Sequence, residues 1–106
     1  MIQNMRSSER NVALAIGATR TINMPSTLRA TDSGSQVRAH YISTQSATLS
    51  LEASVDSTNW VQVAVATAGT SGQVTFPALY PHYRALVTNG ATAGTLTIFG
   101  VGLFAA

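Results

Sequence analysis

The sequence contains no cysteine and no lysine, and charged residues of both signs make up only 9% of its 106 positions. Without cysteine there are no disulfides, no thiolate metal sites and no cysteine nucleophile, so the fold is held by packing alone or by packing together with partners. The charged fraction is far below the roughly 25% of an ordinary soluble domain. A chain this neutral has weak colloidal repulsion, which suits a surface largely covered by neighbours. The basic residues are all arginines, namely Arg6, Arg10, Arg20, Arg29, Arg38 and Arg84. Apart from Arg6 and Arg10 they are scattered singly, unlike the dense basic stripe of a nucleic-acid binder. Arginine without lysine instead suits bidentate pairing at interfaces. No apolar run reaches the roughly 18 residues of a membrane span, and MIQNMRSSER lacks the apolar stretch of a signal peptide. The expectation is a chain assembled in the cytoplasm, with no membrane partner and no direct nucleic-acid partner.

What the sequence does contain is alternation. Apolar residues form 45% of the chain, and they recur at a spacing of two, the period of a strand with one buried face. Val12, Leu14 and Ile16 are in phase, as are Ile22 and Met24 before Pro25, where a strand should break. TDSGS (31–35) is a cluster of turn formers, followed by Val37, Ala39 and Tyr41 in phase. The clearest run sets Leu49, Leu51, Ala53 and Val55 against Thr48, Ser50, Glu52 and Ser54. DSTN then reads as a turn closed by the Asp56 carboxylate, and Val61, Val63 and Val65 read as the buried face of a return strand. A short QVTF strand, a connection between Pro77 and Pro81, and Tyr83, Ala85 and Val87 in phase come next. Asn89 and Gly90 suit a positive-φ turn. In TLTIFGVGLF both faces are apolar, which implies burial on both sides or packing against a neighbour. The count is about eight short strands and no helix, hence an antiparallel sandwich or small barrel. Residues 1–10 lack a period and read as an extended N-terminal arm, ordered against a neighbouring subunit, with a single domain over 11–106.

Candidate chemistry is sparse. The acids Glu9, Asp32, Glu52 and Asp56 show no spacing that suggests a catalytic pair; Asp32 and Asp56 fall in turns and Glu52 on a solvent face. His40 and His82 lack a third ligand nearby, and no nucleophile-elbow motif is present. The expectation is a protein that is not an enzyme and uses no cofactor or metal. Trp60 has two readings, a stacking platform for a sugar or base and, favoured, an anchor for its own hairpin. Tyr80, His82 and Tyr83 form a second aromatic group, suited to a ligand surface or an interface.

LEASVDSTNWVQVA resembles the S-x-D-G-x-x-W hairpin of β-sandwich modules in phage virion proteins and some discoidin-like carbohydrate-binding domains. Ser54, Asp56 and Trp60 match, Ser57 stands where the pattern has glycine, and Asp56 with Asn59 can close a longer turn. YPHYRALVTNGATAGTLTIFGVG is similar to the end of the same modules, so the resemblance spans residues 47–102. It implies a jelly-roll or Ig-like β-sandwich of the capsid decoration or cement class in tailed bacteriophages. The expected role is a virion subunit, a homo-oligomer about a three-fold axis, bound to the major capsid protein. Arg6, Arg10, Leu103 and Phe104 are the candidate interface, and Trp60, Tyr80 and Tyr83 are candidates for ligand stacking or hairpin anchoring. The alternative is a carbohydrate-binding or host-attachment module.

Overall fold

The computed structural model describes residues 5–24, 36–77 and 80–104. Seven antiparallel strands form one curled sheet: β1 (Met5–Leu14), β2 (Thr19–Asn23), β3 (Gln36–Ser54), β4 (Val61–Val65), β5 (Gly69–Pro77), β6 (His82–Asn89) and β7 (Gly94–Phe104). The long β3 is the spine. On one edge it pairs with β7 over Gln36–Ser43 and with β6 over Ala47–Ser54; on the other it pairs with β5 and then β4. β1 pairs with β7, and β2 with β6. The chain therefore bends at one level in all four runs, giving a first layer β1-β7-β3-β5 and a second layer β2-β6-β3-β4. The inner residues of the two layers make a single hydrophobic cluster, so the architecture is an antiparallel β-sandwich.

The alternation explains the core. Val37, Ala39 and Tyr41 on the first half of β3, Leu49, Leu51 and Ala53 on the second, and Tyr83, Ala85 and Val87 on β6 are all buried. Both halves of β3 keep the same phase, so one face stays inward through the bend and two expected strands become one. That reduces the expected count of about eight to seven.

β7 departs from the expectation. Ile42 faces Ile98 while Ser43 faces Leu96, and on the other side Arg10 faces Ile98 while Val12 faces Leu96. Thr97 is thus an extra residue that shifts the phase by one, and Asn11, at φ 54°, is its counterpart on β1. Leu96, Phe99 and Val101 consequently share the inner face and are all buried. A bulge thus accounts for much of the two-faced pattern, and of the apolar side chains described on β7 Ile98 alone faces outward, beside Ile42.

Three further expectations are corrected. Residues 5–10 are the first half of β1, paired to β7 of the same chain from Met5 opposite Leu103 to Arg10 opposite Ile98. The backbone ladder holds this polar segment without apolar side chains, and the boundary expected at residue 10 falls inside a strand; residues 1–4 lie outside the described set. Val61 and Val65 are 52% and 54% exposed, because a shift at Val63 breaks the phase of β4 and, among the described strands, β4 pairs with β3 alone. Ile16 and Val55 are also exposed, lying beyond the ends of their strands. The expected breaks at Pro25 and at TDSGS lie outside the described residues.

The bends are tied together by side chains. Buried Asn89 donates from Nδ2 to the carbonyls of Leu14 and Ala15 at 3.0 Å and of Thr92 at 2.8 Å, and its Oδ1 accepts from Gly90 N at 2.9 Å. Gly17 N donates to Gly90 O at 3.1 Å, and Gly90 N donates to Ser46 O at 3.2 Å. Asn89 and Gly90 therefore act as a clamp between bends, and neither adopts the positive φ expected of them. Tyr41 Oη lies 2.7 Å from both Ala47 O and Gly69 O, joining the bend of β3 to the start of β5. Burial pushes its phenol pKa up, with the bond to Gly69 opposing.

Candidate functional site

The hairpin after β3 is built by hydroxyl and carboxylate oxygens. Ser54 Oγ accepts from the backbone N–H of Asp56 at 3.1 Å and of Ser57 at 2.8 Å, while donating to Asp56 Oδ1 at 2.8 Å. Asp56 Oδ1 also accepts from Thr58 N at 2.9 Å and Asn59 N at 2.8 Å, and Oδ2 from Asn59 Nδ2 at 2.8 Å. The N–H of Asn59, then that of Thr58 and the side chains of Asn59 and Ser54, hold the carboxyl well below the usual range. Asp56 is fully engaged in closing the turn. Ser57, where the pattern has glycine, takes the glycine conformation at φ 64°. The tight turn survives the substitution.

The loop delivers Trp60 to the outer side of the second layer. Its half-buried ring lies under the Arg84 guanidinium, 4.3 Å from Cζ to the ring centroid. Arg84 faces Glu52 directly across β6 and β3, and its Nε donates to Glu52 Oε1 at 2.6 Å. Trp60, Arg84 and Glu52 thus form a stack on a partly solvated face. Trp60 therefore packs on Arg84 outside the core cluster, not within the core as a buried anchor would.

The second aromatic group divides. Tyr83 is 1% exposed; its hydroxyl donates to Pro77 O at 3.0 Å and accepts from Tyr80 N at 3.1 Å. Tyr80 is half-buried, edge-on to Tyr83 at 6.1 Å between centroids and tilted against Phe76 at 6.3 Å. The three rings close the end of the core beneath the Pro77–Pro81 connection. Tyr83 is thereby a core residue, and the expected platform is reduced to one edge of Tyr80.

The expected interface residues lie together on β1 and β7. Position 6 faces Gly102, Leu103 faces Val37 and Phe104 faces Gln36; the side chains at 6, 103 and 104 are outside the described set. Arg10 is exposed. Sequence reasoning missed Glu9, whose Oε1 and Oε2 accept from Arg20 Nε and Nη2 at 2.6 Å each. Glu9 faces inner Phe99 and Arg20 faces inner Val87, so this bidentate pair bridges the open mouth between edges β1 and β2. The bond from Arg20 lowers the Glu9 pKa, and that from Glu9 raises the Arg20 pKa. No local signal marks this pair, because only the strand order brings the two edges together. Among the described residues no three of His, Asp and Glu come together as metal ligands would; Asp32 lies outside that set.

Known proteins place the fold. XepA, the exported protein of PBSX, superposes with a TM-score of 0.74 at 18% identity, over 95% of this chain and 37% of XepA. The chain therefore spans little more than a third of that protein. The Yersinia pseudotuberculosis-derived mitogen gives a TM-score of 0.59 at 12% identity, over 100% of this chain and 86% of its own. A subunit of the disulfide-linked pili formed by Bacillus endospore appendages gives 0.55 at 14% identity, over 99% and 88%. No curated protein matches the chain in sequence. The family model described as the uncharacterised protein YqxG N-terminal domain matches residues 1–100, and the chain belongs to that family.

Proposed function

We propose that this chain is a non-enzymatic structural subunit of a bacteriophage particle, of the decoration or cement type, which assembles with copies of itself and docks on the major capsid protein. The observation that carries this reading is the β4 edge. VQVAV has no charge, pairs on one side only among the described residues, and leaves Val61 and Val65 more than half exposed beside exposed Val55. Free edges are normally blunted by lysine, proline or a covering loop, and an unprotected apolar edge favours pairing with another chain. The similarity to a phage exported protein and to a pilus subunit supports a β-sandwich used as a building unit. With no cysteine in this sequence, its contacts would be non-covalent.

Residues 5–10 pair within the chain's own sheet, and Leu96, Phe99 and Val101 of β7 face inward. This supports β4 over the terminal segments as the contact surface of this reading, with a three-fold oligomer as the expected state. Heating particles that carry or lack the chain tests the cement role. Particles lacking it should release their contents at lower temperature; equal thermal stability would contradict the cement role and favour host attachment.

A further inference from the structure

We propose that Asn89–Gly90 is a self-modification site, held unreactive by the folded chain and converted, once the chain opens, into a form that no longer closes. This goes beyond the assembly role and does not depend on it. The chain has five asparagines, and the residues that follow them are Met5, Val12, Met24, Trp60 and Gly90. Gly90 alone lacks a Cβ, so only there can the following backbone nitrogen approach the side-chain carbonyl carbon without a steric block.

The chemistry needs only water. The Gly90 nitrogen gives its proton to solvent hydroxide and attacks Asn89 Cγ; the N–Cγ bond forms, the Cγ–Nδ2 bond breaks, and Nδ2 leaves as ammonia after taking a proton from water. A second water adds to either carbonyl of the resulting succinimide and opens it to aspartate or isoaspartate. Nothing is oxidised or reduced.

The fold blocks each part of that step. Asn89 is 4% exposed, so hydroxide and water are kept from Cγ. Its Nδ2 is held by the carbonyls of Leu14, Ala15 and Thr92, and its Oδ1 by Gly90 N at 2.9 Å. That last bond sets the nitrogen on the oxygen side of the carboxamide, whereas attack must come onto the face of the carbonyl carbon. Asn89 N donates to Ala18 O at 2.8 Å and Asn89 faces Ala47, which fixes the backbone that ring closure must rotate. Gly90 N also donates to Ser46 O at 3.2 Å, so losing its proton breaks two bonds. Opening the bends releases all of these restraints together.

The product cannot rebuild the clamp. A carboxylate at position 89 sets oxygen against the three carbonyl oxygens that Nδ2 joins, in a buried site where an unpaired charge is costly. Isoaspartate also adds a methylene to the main chain and displaces the pairing of β6 with β3.

The test incubates the full chain at mildly alkaline pH, in buffer and in urea, beside the peptide VTNGAT (87–92) in each, and follows position 89 by chromatography and mass spectrometry. In urea the chain should be modified there at the peptide's rate and ahead of its other asparagines. In buffer it should react at least about a hundredfold more slowly than the peptide, because reaction waits on opening. G90A in urea, where folding is not at issue, should lose the lead of position 89. N89D, made directly, should lose at least about 10 °C in Tm or fail to fold. Modification of the folded chain at the peptide's rate, no lead of position 89 in urea, a lead kept by G90A, or an N89D melt equal to that of the unsubstituted chain would each overturn the proposal.

Discussion

Replacing Ser57 with glycine should stabilise the protein. Ser57 sits at φ 64°, a conformation that costs a residue with a Cβ about 1–2 kcal/mol and costs glycine almost nothing. Against this, glycine gives the unfolded chain more freedom, worth about 0.5–1 kcal/mol. The Ser57 N–H bond to Ser54 Oγ is retained in the variant, and Ser57 itself is exposed, so little packing is lost. The net gain is about 0.5–1 kcal/mol, or about 2–8 °C in Tm for a domain near this size. Urea titration with an unchanged m-value, beside a thermal melt, measures it. Ser57→Val provides the opposite sign, since a branched side chain resists this conformation most. A destabilised glycine variant, or a neutral valine variant, would refute the strain argument.

The remaining predictions follow from burial and charge. Asn89→Ala should cost about 2–3 kcal/mol, because carbonyls at the bends lose their donor; urea unfolding checks it. Trp60→Ala should cost about 1–2 kcal/mol, a half-buried ring and one cation–π contact, whereas Tyr83→Ala should cost about 3–5 kcal/mol; equal costs in paired melts would contradict their placement. Asp56 has its folded pKa depressed, chiefly by the Asn59 N–H, so its contribution is present above the unfolded value of about 3.9 and is lost as pH falls below it. Stability should therefore decline in acid, and Asp56→Asn should flatten that decline in melts taken across the pH range.

The layers were legible where the phase is unbroken. On β3 and β6 every inward residue from Val37 to Ala53 and from Tyr83 to Val87 keeps odd parity, so alternation alone marks the core. It misleads at Thr97 and Val63, where one inserted residue accounts for much of the two-faced pattern of β7 and hides the exposed valines of β4. Periodicity counts residues and cannot register a bulge that only the partner strand reveals. The hairpin oxygens were readable because Ser54, Asp56 and Asn59 are neighbours in sequence. The stack of Trp60 on Arg84 and the Glu9–Arg20 bridge were not, since each depends on strand order across the sandwich.

The claim that this β-sandwich acts as an assembly unit through β4 is tested most directly by sedimentation velocity of the full chain beside V61K/V65K. Lysine at an edge opposes strand addition, and both sites are exposed, so the variant should fold normally. The account predicts a concentration-dependent oligomer for the unsubstituted chain and a monomer for the variant. A monomeric unsubstituted chain at tens of micromolar, or an oligomer untouched by both lysines, would contradict it.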